Sequence, residues 1–260
     1  MLSKCFAILA LMLCGLPALA QDPAASVSPS ITDEPQVRRT EVPGTAQSRT
    51  WSGYAVTGSG FTEALGSWIV PKVDCSKTLT GYSSNWVGID GFPVTITIEQ
   101  IGTFSGCWGG APDYGAFCNF YPTGVCYDPK MTISPGDKMS ATVSYDGSKF
   151  TVKMTNRTTG AHFFKTESVL LAPRTSAEWI VEEDSFPGGL PDFITTSFGD
   201  DYTDVLNTNW AKDSTTTGPI SDFGTRVQKI TMVNSAGTTK AVPTALTTDG
   251  SSFKVTWKHY

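Results

Sequence analysis

The sequence predicts an all-β domain, built as a sandwich or barrel of short antiparallel strands. Three observations point there. Apolar residues recur at every second position in many short runs. Gly, Asp, Asn and Pro punctuate those runs as turn residues do. No stretch keeps a 3.6-residue apolar period for three turns, so helices are not expected to carry the core.

Residues 1–20 read as a targeting segment rather than as part of the fold. Lys4 supplies a positive start, Phe6 through Leu16 is an apolar run, and Ala18-Leu19-Ala20 has the small-x-small form of a signal-peptidase site. The run is well short of the ~20 residues that span a bilayer. Leu13, ahead of Cys14, occupies the place where a lipobox carries Gly or Ala. The chain is therefore expected to be secreted or periplasmic, with no membrane contact in its mature form. Residues 21–48 are rich in Pro, Ser, Ala and Thr and nearly lack aromatics. That composition predicts a pro-segment or flexible linker, with Arg38-Arg39 as a possible processing point. Residues 49–260 form the folded domain, and no second Pro/Ser-rich linker divides it.

Strand patterns follow in order at Trp51–Thr57, Ala64–Pro71, Ser84–Ile89 and Thr95–Ile101. The clearest hairpin comes next. Met139, Ala141, Val143 and Tyr145 share one face, Asp146-Gly147 reads as a two-residue turn, and Phe150, Val152 and Met154 line the returning strand. Ala177–Val181 and Val227–Val233 are further strands. At the C-terminus Asp249-Gly250 marks a turn, after which Phe253, Val255 and Trp257 alternate.

Composition narrows the chemistry. The formal net charge is −5, only 17% of residues are charged, and there is no basic block, so nucleic acid is not an expected partner. Sparse charge limits self-repulsion when carboxylates protonate, which suits an acidic medium. Six cysteines are present, and Cys5 and Cys14 fall in the targeting segment. Cys75, Cys107, Cys118 and Cys126 remain and permit three disulfide connectivities. We favour Cys75–Cys107 and Cys118–Cys126, the second of which closes a short loop. A zinc site is disfavoured, because no CxxC pair exists. The two histidines are His162 and the penultimate His259. One usable histidine and no GxSxG elbow argue against a serine triad. The segment GSGFTEALG misses the dinucleotide fingerprint at its last position. No metal or cofactor is expected.

Carboxylate and amide chemistry is what remains. In SAEWIVEEDS, a strand would send Glu178, Ile180 and Glu182 to one side. Glu178 and Glu182 would then lie about 13 Å apart, at ~3.3 Å per residue. A glycosidase pair needs about 5–5.5 Å or about 6.5–9.5 Å, so this strand alone does not supply one.

Four segments, in order, carry a resemblance to a known family. They are TWSGYAV at 50–56, GSWIVPKV at 66–73, WVGIDG with EQIGT at 86–103, and AEWIVE at 177–182. YP with ISPGD at 121–137 adds to them. Together they make the chain resemble the glutamic peptidases, or eqolisins. The resemblance implies a lectin-like β-sandwich of two antiparallel sheets. It implies a catalytic Gln/Glu dyad, which maps to Gln100 and Glu178, and substrate-lining positions at Trp51, Trp86 and Asp90. The implied activity is endopeptidase cleavage of protein or peptide substrates in acid by a monomer without cofactor. Two segments depart from the family pattern, AFCNFYP at 116–122 and TSFG at 196–199, and both are expected to shape substrate subsites. A glycan-binding or glycan-cleaving sandwich, or a weakly active binding module of the same fold, are the competing readings.

Overall fold

The computed structural model describes residues 37–42, 44–93, 97–184 and 188–260. The targeting segment lies outside the described residues. So does most of the stretch read as a pro-segment or linker.

The strands are β1 (Val37–Arg39), β2 (Thr45–Ser48), β3 (Trp51–Thr57), β4 (Glu63–Ile69), β5 (Gly81–Ile89) and β6 (Ile98–Trp108). They continue as β7 (Ala111–Tyr121), β8 (Gly124–Tyr127), β9 (Lys138–Tyr145), β10 (Phe150–Asn156), β11 (His162–Glu167) and β12 (Ser176–Glu183). The last six are β13 (Thr195–Phe198), β14 (Trp210–Lys212), β15 (Thr217–Pro219), β16 (Val227–Val233), β17 (Thr239–Pro243) and β18 (Phe253–Trp257). One α-turn, Asp200–Thr203, and a 3-10 stretch, Ile220–Arg226, are the helical elements among the described residues.

These strands form two layers. The first runs β1–β2–β16–β3–β12–β5–β6–β7–β8. The second runs β11–β10–β9–β4, and both β13 and β14 then pair with β4. From β13 it continues through β18 and β17 back to β16, which ties the layers together. All these pairings are antiparallel except β16 with β2. Alternation explains how the layers meet. Val87, Ile101, Trp179 and Val181 from the first layer share one core with Trp68, Met139, Val143 and Val152 from the second. Gly66 permits the close approach, because a Cβ there would lie 2.8 Å from Val87 Cβ. Two indoles fasten the layers: Trp68 Nε1 donates to Thr103 Oγ1 at 2.9 Å, and Trp179 Nε1 donates to the Leu65 carbonyl at 2.6 Å.

Several sequence expectations need adjustment. Residues 37–39 and 45–48, within the stretch read as a pro-segment or flexible linker, are strands, and Val37 and Ala46 are buried. Composition does not reveal them, because the edge that β2 joins belongs to the remote β16, and β1 joins β2. The strand expected from Thr95 is seen from Ile98, and 94–96 lie outside the described residues. The β9–β10 hairpin forms, but its loop spans residues 146–149 rather than two residues. Asp146 makes the difference, since its Oδ1 accepts the N–H groups of Ser148 and Lys149.

Both disulfides pair as expected. Cys75–Cys107 ties the loop after β4 to the end of β6, with an S–S distance of 2.00 Å. Cys118–Cys126 staples β7 to β8 at directly paired positions.

Candidate active site

The outer face of the first layer, opposite the shared core, holds the candidate residues. Strand register places them there. Gln100 on β6 pairs with Gly88 on β5, and Gly88 pairs with Glu178 on β12. Paired residues on neighbouring strands point to the same side. A single row therefore runs Ala55–Glu178–Gly88–Gln100–Asn119 across five strands. The next row runs Gly53–Ile180–Trp86–Gly102–Phe117.

Glycine separates the two key side chains. A Cβ on Gly88 would lie 2.9 Å from Trp86 Cζ3 and 3.3 Å from Gln100 Cβ, so no larger residue fits without displacing one of them. Trp51 and Trp86 wall this face, edge to face with centroids 4.9 Å apart. Trp86 Nε1 donates to Glu182 Oε2 at 2.9 Å. Glu182 thus shares the face of Glu178, as alternation predicts, and serves as the buried acceptor for an indole. The loop after β5 turns back over the wall, where a Cβ on Gly91 would lie 2.7 Å from Trp51 Cη2.

Glu178 is 0% exposed and Gln100 is 1% exposed. Neither Glu178 oxygen, nor Gln100 Oε1, has a hydrogen-bond partner. Burial pushes the Glu178 pKa well above the ordinary carboxyl range. The nearby Ser176 hydroxyl and Phe92 N–H pull it down, although neither reaches hydrogen-bond geometry, and the charges of Asp90 and Glu99 push it up. Unpartnered buried polar atoms are costly, and they recur where chemistry needs them.

Asp90 ends β5 in a left-handed conformation, φ 66°. Its carboxylate accepts Thr175 N–H at 2.8 Å, Arg174 N–H at 2.9 Å and the Thr97 hydroxyl at 3.3 Å. Asp90 thereby braces the segment that leads into β12 and aims Glu178. Trp51, Trp86 and Asp90, expected to line the substrate, are all completely buried.

The structure adds residues that sequence reasoning passed over. Ser176 stands two positions before Glu178, and that spacing alone places it on the same face. Gly88 was quoted within a motif, but its place between the dyad residues needs the register. Glu99, beside Gln100 in sequence, is completely buried with both oxygens unpartnered. Asn119, from the departing segment AFCNFYP, is the register partner of Gln100. His162, by contrast, is exposed at the start of β11. Among the described residues, no cluster of three or more His, Cys, Asp or Glu could hold a metal ion. Among them also, no helix is long and apolar enough to cross a membrane.

Known proteins resemble this chain in sequence and in fold. The pattern of the Peptidase A4 family matches residues 49–257. Aspergillopepsin-2 of Aspergillus niger is 32% identical over 159 residues, which cover 52% of this chain and 56% of that protein. Scytalidopepsin B of Scytalidium lignicola is 34% identical over 138 residues, which cover 51% of each. The chain thus spans about half the length of the curated relatives it matches. Scytalido-glutamic peptidase, solved with a transition state analog inhibitor, shares the fold. Its TM-score is 0.62 at 21% identity, covering 81% of this chain and 98% of that one. Aspergilloglutamic peptidase from Aspergillus niger gives a TM-score of 0.54 at 26% identity, covering 68% of this chain and 99% of that one.

Proposed function

The chain belongs to the Peptidase A4 family, and from that premise we propose that it is an exported, acid-acting glutamic endopeptidase whose dyad is Gln100 and Glu178. One observation carries the proposal. The register sets an unpartnered buried carboxyl and an unpartnered buried amide oxygen on the same face, on either side of a glycine. Polar groups left unpartnered in a packed interior are costly, and they recur where chemistry needs them.

The chemistry follows from the groups. As carboxylate, Glu178 takes a proton from water while the water attacks the peptide carbonyl. It then delivers that proton to the leaving amine. The Gln100 N–H donates to the oxyanion, a contact worth about 10²–10³ in rate. Its Oε1 orients the attacking water. Burial, which raises its pKa, makes Glu178 a stronger base when ionised. Trp51 and Trp86 exclude bulk water, which strengthens these interactions. Asp90 acts through the 174–175 backbone, holding the start of β12 in place. Asn119, beside Gln100, is positioned to set subsite preference.

Export is supported by the N-terminal pattern of residues 1–20 and by two disulfides. Protein or peptide substrates are the proposed partners, met by a monomer.

The test is digestion of casein by the purified exported chain, with pepstatin, EDTA and serine-protease reagents added separately. Cleavage in acid that resists all three is expected. Casein left intact from about pH 2 to pH 6, a range bracketing the carboxyl pKa values, would refute the reading. Loss of cleavage with EDTA alone would assign the activity to a metal.

A further inference from the structure

Glu99 precedes Gln100 on β6 and so points to the opposite face of the layer. Its register partners are Ile89 on β5 and Phe120 on β7, both members of the shared apolar core. A glutamate set among such residues, with neither oxygen hydrogen-bonded, has no structural contribution to make as a charged group.

The polar groups near it are few. Asp90 follows Ile89 at the end of β5. Glu178 follows Ala177, the β12 partner of Ile89. Thr97 lies on its own segment and donates its hydroxyl to Asp90. The nearby Arg174 supplies Asp90 only with its backbone N–H, because its guanidinium lies over the Tyr145 ring and reaches the Phe61 carbonyl. Among the described residues, no lysine, arginine or histidine forms an ion pair with any of the three carboxyls.

Three buried carboxyls without a cation cannot all be charged. Their hydrogen bonds rank them. Asp90 has two backbone N–H donors and a hydroxyl, so it carries charge most readily. Glu178 has a hydroxyl and an N–H nearby. Glu99 has only the Thr97 hydroxyl nearby, which donates to Asp90, and no N–H, so it is the last to ionise. We propose, on the footing of the peptidase reading, that Glu99 is a positioning residue: an uncharged carboxyl group behind the dyad row that leaves Asp90 and Glu178 to carry the negative charge of the site. Burial, with Asp90 adding to it and the Thr97 hydroxyl pulling the other way, holds the Glu99 pKa up to about 9, which agrees with the ranking. When Glu99 does ionise, its charge opposes Asp90, the brace of β12, and Glu178 itself. Glu99 therefore closes the working pH range from the alkaline side.

The test compares wild type with Glu99→Gln, which keeps the shape of the neutral acid, and with Glu99→Leu, which removes polarity as well. Two quantities are read against pH: kcat/KM on a peptide and the melting temperature. The expected result is an upper pH limb moved up by about one unit or more in either variant that folds. The fall in melting temperature between acid and neutral pH should shrink in the same variant, while kcat/KM on the acid side stays near wild type. An unmoved limb together with an unchanged melting profile would overturn the proposal. So would a loss of about 10² or more on the acid side, the range for a group that itself moves a proton. A wild-type melting temperature that does not fall from acid to neutral pH would overturn it without any variant. The melting profile needs no activity, so a wild type that cleaves nothing sinks the peptidase reading and still leaves Glu99 under test.

Discussion

Glu178 and Gln100 meet the same residue, Gly88, from its two sides, in register across three antiparallel strands. The two side chains stand on one face, and the edge of the Trp86 ring lies over the glycine between them. Their strands are distant in sequence, and the single glycine is what makes them a pair.

The first prediction concerns that pair. Glu178→Gln keeps shape and removes the base, and should lower kcat by about 10²–10⁴ or more. Gln100→Ala removes the oxyanion donor and should cost about 10²–10³. The double variant should lose little beyond the larger single effect, because both groups act on one water and one intermediate. Steady-state kinetics on folded variants checks this. Full activity in both single variants would end the dyad assignment.

Gly88→Ala tests the spacing without touching either functional group. The added methyl meets the Trp86 ring at 2.9 Å and Gln100 Cβ at 3.3 Å, so one must move. A displacement of about 1 Å at the dyad can cost about 10² in rate. Circular dichroism should stay native while kcat falls. A fully active Gly88→Ala would show that the dyad tolerates more play than its packing suggests.

Glu182→Gln should retain most activity, since the amide oxygen can still accept from Trp86 Nε1. Glu182→Leu should differ, because it leaves that indole N–H buried and unpaired at a cost of about 1–3 kcal/mol. Thermal melts of the two variants separate these outcomes. Equal stability in both would mean that Trp86 finds another acceptor.

Stability should peak in acid and fall on both sides. Burial raises Glu99 to about 9 and Asp184 to about 7. Each would ionise near pH 4 in the unfolded chain. A raised folded pKa gives stability that is complete below the unfolded pKa and is lost as pH rises through the folded value. The loss should therefore run from about pH 4 toward pH 7 and on toward pH 9. Asp213, hydrogen-bonded by Arg226, and Asp249, hydrogen-bonded by Ser252, are lowered instead. Their contributions are present above about pH 4 and are lost as pH falls below it. Calorimetry across this range should show its highest melting temperature near pH 4. Activity should rise with pH as Glu178 ionises, along a limb displaced upward from that of an ordinary carboxyl. A maximum of stability at neutral pH would contradict the burial of these acids.

The two disulfides should not be equivalent. Cys75–Cys107 closes 32 residues and Cys118–Cys126 closes 8. Chain-entropy arguments assign them about 4 and about 2.5 kcal/mol. Paired Cys→Ser variants of the longer loop should melt at the lower temperature. The reverse order would mean that loss of the β7–β8 staple damages the native state directly.

Much of the fold was legible in the sequence because alternation is local. Trp51–Thr57 and Val227–Val233 were read to the residue, and Glu178, Ile180 and Glu182 were placed on one face. Local pattern failed where the deciding partner was remote. Val37 and Ala46 are buried only because β2 finds an edge on β16. Asp146 lengthened a turn through hydrogen bonds that the dipeptide Asp-Gly does not reveal.

The sequence by itself determined the all-β class and carried the motifs whose resemblance to the glutamic peptidases points to Gln100 and Glu178. Side-chain type and period-two alternation are properties of neighbouring residues, so they can be read along the chain. Tertiary structure alone decided that Gly88 stands between those two residues, and that Asp90 spends its hydrogen bonds on the approach to β12. It also decided that Glu99 lies unpaired behind the dyad row. Register and burial depend on which distant strand lies alongside, and no stretch of one strand contains that information.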